Sequence, residues 1–244
     1  MPEWTIGDVV DAIAEVIPER VMTVCGQRRT TFGEMAARTG RLANFLAAQG
    51  FGAHRERDEL ENWECGQDRV ALVMYNDRYP ELVIGCLKAR AVPVNVNHHY
   101  TAREVRELLE YIKPRGIVFH RALGAKFADV LADVGAELLM CVEDGSDAPA
   151  VAAVNLDDAL AARDPDTIIT GSPDDVMLYC TGGTTGRPKG VMWRQCDTYV
   201  ASMVGDDHES KAEIHDKVHK PFCRHIKFIN LNVRLYFFFS LIHF

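Results

Sequence analysis

Paired cysteines are the first thing this 244-residue sequence lacks. Its seven cysteines (Cys25, Cys65, Cys86, Cys141, Cys180, Cys196 and Cys223) are odd in number, scattered, and nowhere spaced as Cys-x-x-Cys. That argues against a disulfide framework or a zinc ribbon and favours a reducing compartment. A basic surplus is missing too: 27 Lys plus Arg oppose 35 Asp plus Glu, for a net charge of −8. A nucleic-acid binder would need a basic face, so no nucleic-acid partner is expected. The start, Met1-Pro2-Glu3-Trp4, has neither the basic nor the apolar region of a secretory signal, and the chain reads as cytoplasmic. The longest nearly apolar run is Leu235–Ile242, far short of the roughly 20 residues of a membrane-spanning helix. No internal period is evident, which excludes a solenoid. With 48% hydrophobic and 25% charged residues, the composition is that of an ordinary globular chain.

The composition breaks near residue 216. No glycine follows Gly205 and no alanine follows Ala212, although both are common before. Residues 217–244 hold five cations (Lys217, Lys220, Arg224, Lys227, Arg234) and no acid, and six of the 11 phenylalanines crowd in after residue 221. Three readings compete. A membrane anchor is too short. His215, His219 and Cys223 recur every four residues with His225 close by, but a helical metal site would need a paired second half. A non-native terminus is the preferred reading, and Tyr236-Phe237-Phe238-Phe239 would then be an aggregation liability unless covered.

The remainder shows regular alternation. Thr5-Ile6-Gly7-Asp8 starts a helix with Val9, Val10, Ile13, Val16 and Ile17 on one face. Arg20–Cys25 predicts a strand and Gly26-Gln27 a turn. Thr31-Phe32-Gly33-Glu34 is a capping box that opens a helix to about Gln49, with Leu42, Phe45 and Leu46 inward. Residues 51–68 form a charged insertion, a solvated loop or exposed helix. Strands are predicted at Val70–Tyr75, Val92–Val96, Gly116–His120, Glu137–Val142 and Val176–Cys180. Helices are predicted at Tyr79–Ala89, from the second capping box Thr101-Ala102-Arg103-Glu104 to Ile112, and at Leu123–Val134. Residues 144–174 read as a long surface connection. Short β-branched strands alternating with helices imply a layered α/β fold with largely parallel strands and crossover helices.

Directly after the last strand comes Thr181-Gly182-Gly183-Thr184-Thr185-Gly186-Arg187-Pro188-Lys189-Gly190. Glycines let backbone N–H groups close on a ligand, and a run of such amides forms a nest for anionic oxygens. Thr181, Thr184 and Thr185 add hydroxyl donors, and Lys189 a point charge suited to phosphate. Donors without acceptors are what a polyphosphate requires. A Walker A loop is rejected, because that pattern needs glycine before the lysine and Ser or Thr after it. Here Pro188 precedes Lys189 and Gly190 follows.

Tyr179–Trp193 (YCTGGTTGRPKGVMW) resembles the phosphate-binding signature of the adenylate-forming (AMP-binding) superfamily, which includes acyl-CoA synthetases, luciferases and adenylation domains. Thr31–Gly50, Val70–Asn76 and Leu87–Asn97 agree in order, so the similarity covers about residues 5–216. Gly182 stands where most members have Ser, and Arg90 where most have Gly. With the acidic insertion and Asn95-Val96-Asn97, these departures look like the fatty-acyl-CoA ligases that handle long or bulky acids, sterol side chains among them.

The resemblance implies that a carboxylic acid attacks the α-phosphorus of ATP, that pyrophosphate leaves with Mg²⁺, and that coenzyme A displaces AMP. It implies phosphate contacts from Thr181, Thr184, Thr185 and Lys189, with backbone access at Gly182, Gly183 and Gly186. Lys189 and Thr184 would carry the catalytic share, and Arg187 would be solvated. His98, His99 and Tyr100 would fall near the substrate side, but a histidine pair like this reads as surface decoration. The adenine-binding, Mg²⁺-binding, ribose-binding and hinge motifs of the family do not occur after Ala212. Residues 1–216 are therefore expected to form an incomplete N-terminal AMP-binding domain, and 217–244 a poorly ordered tail foreign to the family. No metal ligand is assigned, and open strand edges predict self-association. The alternative is a non-catalytic remnant that binds nucleotide weakly or associates with a full-length paralogue.

Overall fold

The computed structural model describes residues 4–165, 169–182, 188–203 and 212–215, so the 217–244 tail lies outside the described residues. The first helix, α1 (Ile6–Val16), is capped by Thr5, whose hydroxyl accepts the Asp8 N–H at 3.0 Å. Val9, Val10 and Ile13 are buried, as the helical spacing requires. An antiparallel pair follows, β1 (Val21–Cys25) and β2 (Arg28–Thr31), turned at Gly26 with φ +57°. The strand and turn were expected; β2, a run of polar residues, was not. In α2 (Phe32–Ala48) the capping box closes both ways: the Thr31 hydroxyl accepts the Glu34 N–H at 3.2 Å, and the Glu34 carboxylate accepts the Thr31 N–H at 2.8 Å.

The centre is a five-stranded sheet of β3 (Arg69–Val73), β4 (Val92–Val96), β5 (Gly116–His120), β6 (Leu138–Val142) and β7 (Val154–Asn155). Its order is β4-β3-β5-β6-β7 and every pairing is parallel. Helices α3 (Tyr79–Lys88), α4 (Ala102–Ile112), α5 (Arg121–Lys126), α6 (Ala128–Asp133) and α7 (Leu156–Ala161) alternate with the strands. Both sheet faces are covered, which is why the strands read as almost unbroken apolar runs. On β3 the period of two divides the core: Val70 and Leu72, with Met74 just beyond the strand, join the layer of α1, α2 and α3, while Ala71 and Val73 join that of α4 to α6. Pro93, which has no N–H to donate, sits on β4 at the edge of this sheet.

Two expectations need correction. The helix predicted over Leu123–Val134 is two short ones, α5 and α6, broken where Phe127 turns into the core. The span 144–174 is more than a surface connection: it contains β7 and α7. Asn155 caps α7 by accepting the Asp158 N–H at 3.2 Å, and Leu156, Ala159 and Leu160 are buried against α2 and β6. The charged insertion is exposed only along its middle, between positions 54 and 63, with Phe51 and Gln67 buried near its ends and one 3-10 turn at Arg57–Glu59.

After the parallel sheet, β8 (Val176–Gly182) and β9 (Pro188–Arg194) form a separate antiparallel hairpin, followed by α8 (Gln195–Met203). Leu178, Cys180 and Met192 pack on the α4–α6 layer, and β8 lies against β4. Residues 212–215 are helical, with Ile214 buried in the α1–α3 layer.

Candidate functional site

The glycine- and threonine-rich segment joins β8 to β9, so the bend is set between two strands. Of its named residues, Gly183, Thr184, Thr185, Gly186 and Arg187 lie outside the described residues. The two arms are described. Thr181 pairs with Lys189 and Gly182 with Pro188 in the last two positions of the ladder. The register thus sets Thr181 and Lys189 opposite each other at the mouth of the bend. Lys189 is exposed, and among the described residues its ammonium has no ion-pair partner. It shares the outer face of β9 with Val191 and Trp193, which are also exposed.

Gly190 leaves room for Leu178 of the partner strand β8. A Cβ there would come within 2.8 Å of Leu178 Cδ1, and the Gly190 N–H donates to Tyr111 Oη on α4 at 3.3 Å. The base of the hairpin is held by buried polar side chains. Gln67 Oε1 accepts the Val176 N–H at 2.7 Å. Gln195, fully buried, donates Nε2–H to the Ser172 carbonyl at 2.8 Å and accepts the Ile6 N–H at 3.1 Å, tying α1 to the same point. Cys180 is the cysteine nearest the bend in the sequence. Burial pushes its thiol up to about 11, so it is not a ready nucleophile.

A second polar cluster sits at the carboxyl ends of β3, β4 and β5. Strand order runs outward in both directions from β3, so the switch point, where open α/β sheets commonly bind ligands, lies between β3 and β5. There His120 Nδ1 accepts the Tyr75 N–H at 3.0 Å, which puts the ring proton on Nε2, and Nε2 donates to Asp77 Oδ1 at 2.6 Å. Burial works to raise the Asp77 carboxyl, but His120 and Arg28 outweigh it and hold the carboxyl below its usual range. His98 stacks near His99 (ring centroids 4.0 Å) and Tyr75 (5.2 Å). Partial burial, then the charges of His99 and Lys126, depress the His98 pKa. Sequence reasoning set His98 and His99 aside and missed Asp77 and His120 altogether, because 43 residues separate that pair and only the sheet order joins them.

Among the described residues, no three His, Cys, Asp or Glu side chains are grouped to hold a metal ion. Of the sequence's helical metal pattern, His215 sits 3.2 Å from Glu15, and His219, Cys223 and His225 lie outside the described residues. Among the described residues no helix is long and apolar enough to cross a membrane.

Comparison with known proteins bears on the hairpin directly. Residues 10–222 match the family of AMP-binding enzymes, a span that includes both arms and the bend. The chain belongs to that family. It is 36% identical over 208 residues to the medium-chain acyl-CoA ligase Mig of Mycobacterium avium, a match covering 83% of this chain and 38% of that protein. It is 32% identical over 216 residues to a medium/long-chain-fatty-acid–CoA/3-oxocholest-4-en-26-oate–CoA ligase of Mycobacterium tuberculosis, covering 87% of this chain and 37% of the relative. The chain therefore spans less than two-fifths of these relatives' length. Among solved structures, the anthranilate CoA ligase AuaEII in complex with anthranoyl-AMP shares the fold, with a TM-score of 0.68 at 16% identity over 83% of this chain and 36% of that one. The layered α/β architecture read from the sequence is thus the N-terminal part of the AMP-binding fold.

Proposed function

We propose that this AMP-binding chain carries the triphosphate grip of an ATP-dependent acid–CoA ligase acting on a long or bulky carboxylic acid. The reading rests on one observation: a glycine-rich segment flanked by Thr181 and by an exposed Lys189 that has no ion-pair partner among the described residues, on a hairpin fixed at its base. Lys189 neutralises charge on the β- and γ-phosphates. Backbone N–H groups of Gly182, Gly183 and Gly186 and the hydroxyls of Thr181, Thr184 and Thr185 complete the nest. Such a site orients the triphosphate and stabilises charge on the phosphoryl oxygens as the acid attacks and pyrophosphate departs. ATP, the acid and coenzyme A are substrates in this scheme. The named relatives support the reaction class; one is a medium-chain acyl-CoA ligase, and the other, a ligase of medium- and long-chain fatty acids and of 3-oxocholest-4-en-26-oate, supports a long or bulky acid.

Within these 244 residues the later adenine, ribose and hinge motifs are lacking, so we infer that the chain by itself binds ATP without completing adenylation. Residues 10–222, the span that matches the family, carry this portion. Calorimetric titration of the purified chain with ATP tests the grip. We expect Lys189→Ala to weaken binding about tenfold or more, the loss of one charge-assisted contact. Equal affinity in the two proteins would remove the phosphate assignment, and acyl-AMP formation by the chain alone would remove the inference of inactivity.

A further inference from the structure

We propose that Arg90 is a positioning residue that couples the acidic insertion to the hairpin presenting Lys189, so that releasing Glu56 from Arg90 weakens triphosphate binding. The proposal rests on the reading of that hairpin as a phosphate site.

Arg90 lies in the turn between α3 and β4 with φ +59°, in the left-handed region that glycine occupies freely and residues with a Cβ do not. Such a conformation persists where the surroundings over-determine it. Here they do. Nη1 and Nη2 donate to the two oxygens of Glu56 at 2.8 and 2.7 Å, a bidentate pair. Nε donates to Asp175 Oδ2 and Nη2 to Asp175 Oδ1, both at 3.0 Å. The Arg90 carbonyl accepts Gln67 Nε2–H at 2.8 Å, and Gln67 is the residue that also receives the Val176 N–H.

The two carboxylates are not alike. Asp175 is only 4% exposed and belongs to the hairpin base: it accepts the Ser172 N–H at 3.1 Å, and its carbonyl accepts the Gln195 N–H at 2.8 Å. It therefore ties the residue before β8 to the residue after β9. The Glu56 side chain is 54% exposed and sits on the insertion. One guanidinium thus has a buried anchor on the hairpin and an accessible anchor on a surface segment. From Asp175 to Thr181 is six strand residues, about 20 Å. The ladder from Val176–Arg194 to Gly182–Pro188 makes that length a ribbon, able to carry a change of tilt from its base to Lys189. A staple serving the insertion alone would not engage Asp175.

The test compares the full 244-residue chain with Glu56→Gln, Arg90→Gly and Lys189→Ala, titrated with ATP and melted in parallel. Glu56→Gln should weaken ATP binding about fivefold. Arg90→Gly separates positioning from mere stapling. It relieves the left-handed strain, so its melting temperature should hold better than its ATP affinity. Should both variants bind ATP like the parent while Lys189→Ala does not, the phosphate reading stands and the coupling is wrong. Should the parent not bind ATP, or Lys189→Ala make no difference, the phosphate reading fails. Hydrogen exchange at the amides of Gly190, Val191 and Met192 then decides the coupling: faster exchange in Glu56→Gln supports it, and unchanged exchange overturns it.

Discussion

The two polar clusters differ in how completely they answer their own needs. At the carboxyl ends of β3 and β5, the Asp77 carboxylate accepts a hydrogen bond from His120 Nε2 and His120 Nδ1 accepts one from the Tyr75 N–H, so the switch point is spanned by groups satisfied by one another. At the mouth of the β8–β9 bend, Lys189 is exposed, faces no carboxylate among the described residues, and projects from a hairpin whose base is pinned by buried Gln67 and Gln195. The pair spends its hydrogen bonds on tying the loop after β3 to the end of β5. An uncommitted cation on a rigid support is better suited to a ligand, since binding need not first break an internal contact.

The largest expected effect breaks the first cluster. His120→Ala removes the acceptor for the Tyr75 N–H and leaves the partly buried Asp77 carboxylate with the Arg78 N–H at 2.8 Å and Arg28 at 3.5 Å. We expect a loss of about 3 kcal/mol in urea unfolding, by comparison with other broken buried pairs. ATP affinity of the folded protein should not change. Lys189→Ala should do the reverse, weakening ATP binding while moving stability by no more than about 0.5 kcal/mol, as is usual for an exposed side chain. If instead His120→Ala abolished ATP binding in protein that remained folded, the two clusters would have to be read as one site.

Gly190→Ala sharpens the comparison by attacking the support rather than the charge. Its Cβ would meet Leu178 Cδ1 at 2.8 Å, and Leu178, half-buried against the α4–α6 layer, has to shift its side chain. About 1–2 kcal/mol of destabilisation is expected from this overpacking, together with weaker ATP binding as β9 lifts from Tyr111. Tyr111→Phe, which removes only the 3.3 Å hydrogen bond to the Gly190 N–H, gives the same measurement without the clash.

What could be read in advance follows the range of each interaction. The boxes Thr31/Glu34 and Thr101/Glu104 were legible because all their atoms lie within one helical turn, and both form as read. Strands β4 and β5 fall on the expected residues because a sheet buried on both faces leaves apolar runs with sharp ends. The bend at residues 181–190 was legible for a similar reason: its donors are contiguous. β7 and α7 were missed because three buried positions, Leu156, Ala159 and Leu160, are thinly spread in a stretch rich in Asp and Ala. Phe127 was read as a helical position because nothing local says that it enters the core. Asp77–His120 and Arg90–Asp175 were invisible in principle, the first made by strand order across 43 residues and the second by the packing of β8 against β4 across 85.

The smallest expected effect concerns Glu56 and follows from its exposure. The Arg90 guanidinium, by hydrogen bonding first of all, holds this carboxyl below its ordinary value of 4.5. The folded state therefore keeps Glu56 ionised at a pH where the unfolded chain has already taken up the proton. The sign is fixed: the pair contributes fully above 4.5, and its contribution is lost as pH falls through the folded value. Because the side chain is 54% exposed and screened by solvent, the amount is on the order of 0.5–1 kcal/mol. Asp77 and Asp157 are also held below their usual range, and they add slopes of the same sign at lower pH. Isolating Glu56 thus takes a difference: urea unfolding of the parent minus that of Glu56→Gln, followed from pH 7 downward. That difference should be constant to about pH 5 and shrink below it. A difference that stayed flat to pH 3 would mean that the ion pair seen between the insertion and the hairpin base contributes nothing in solution.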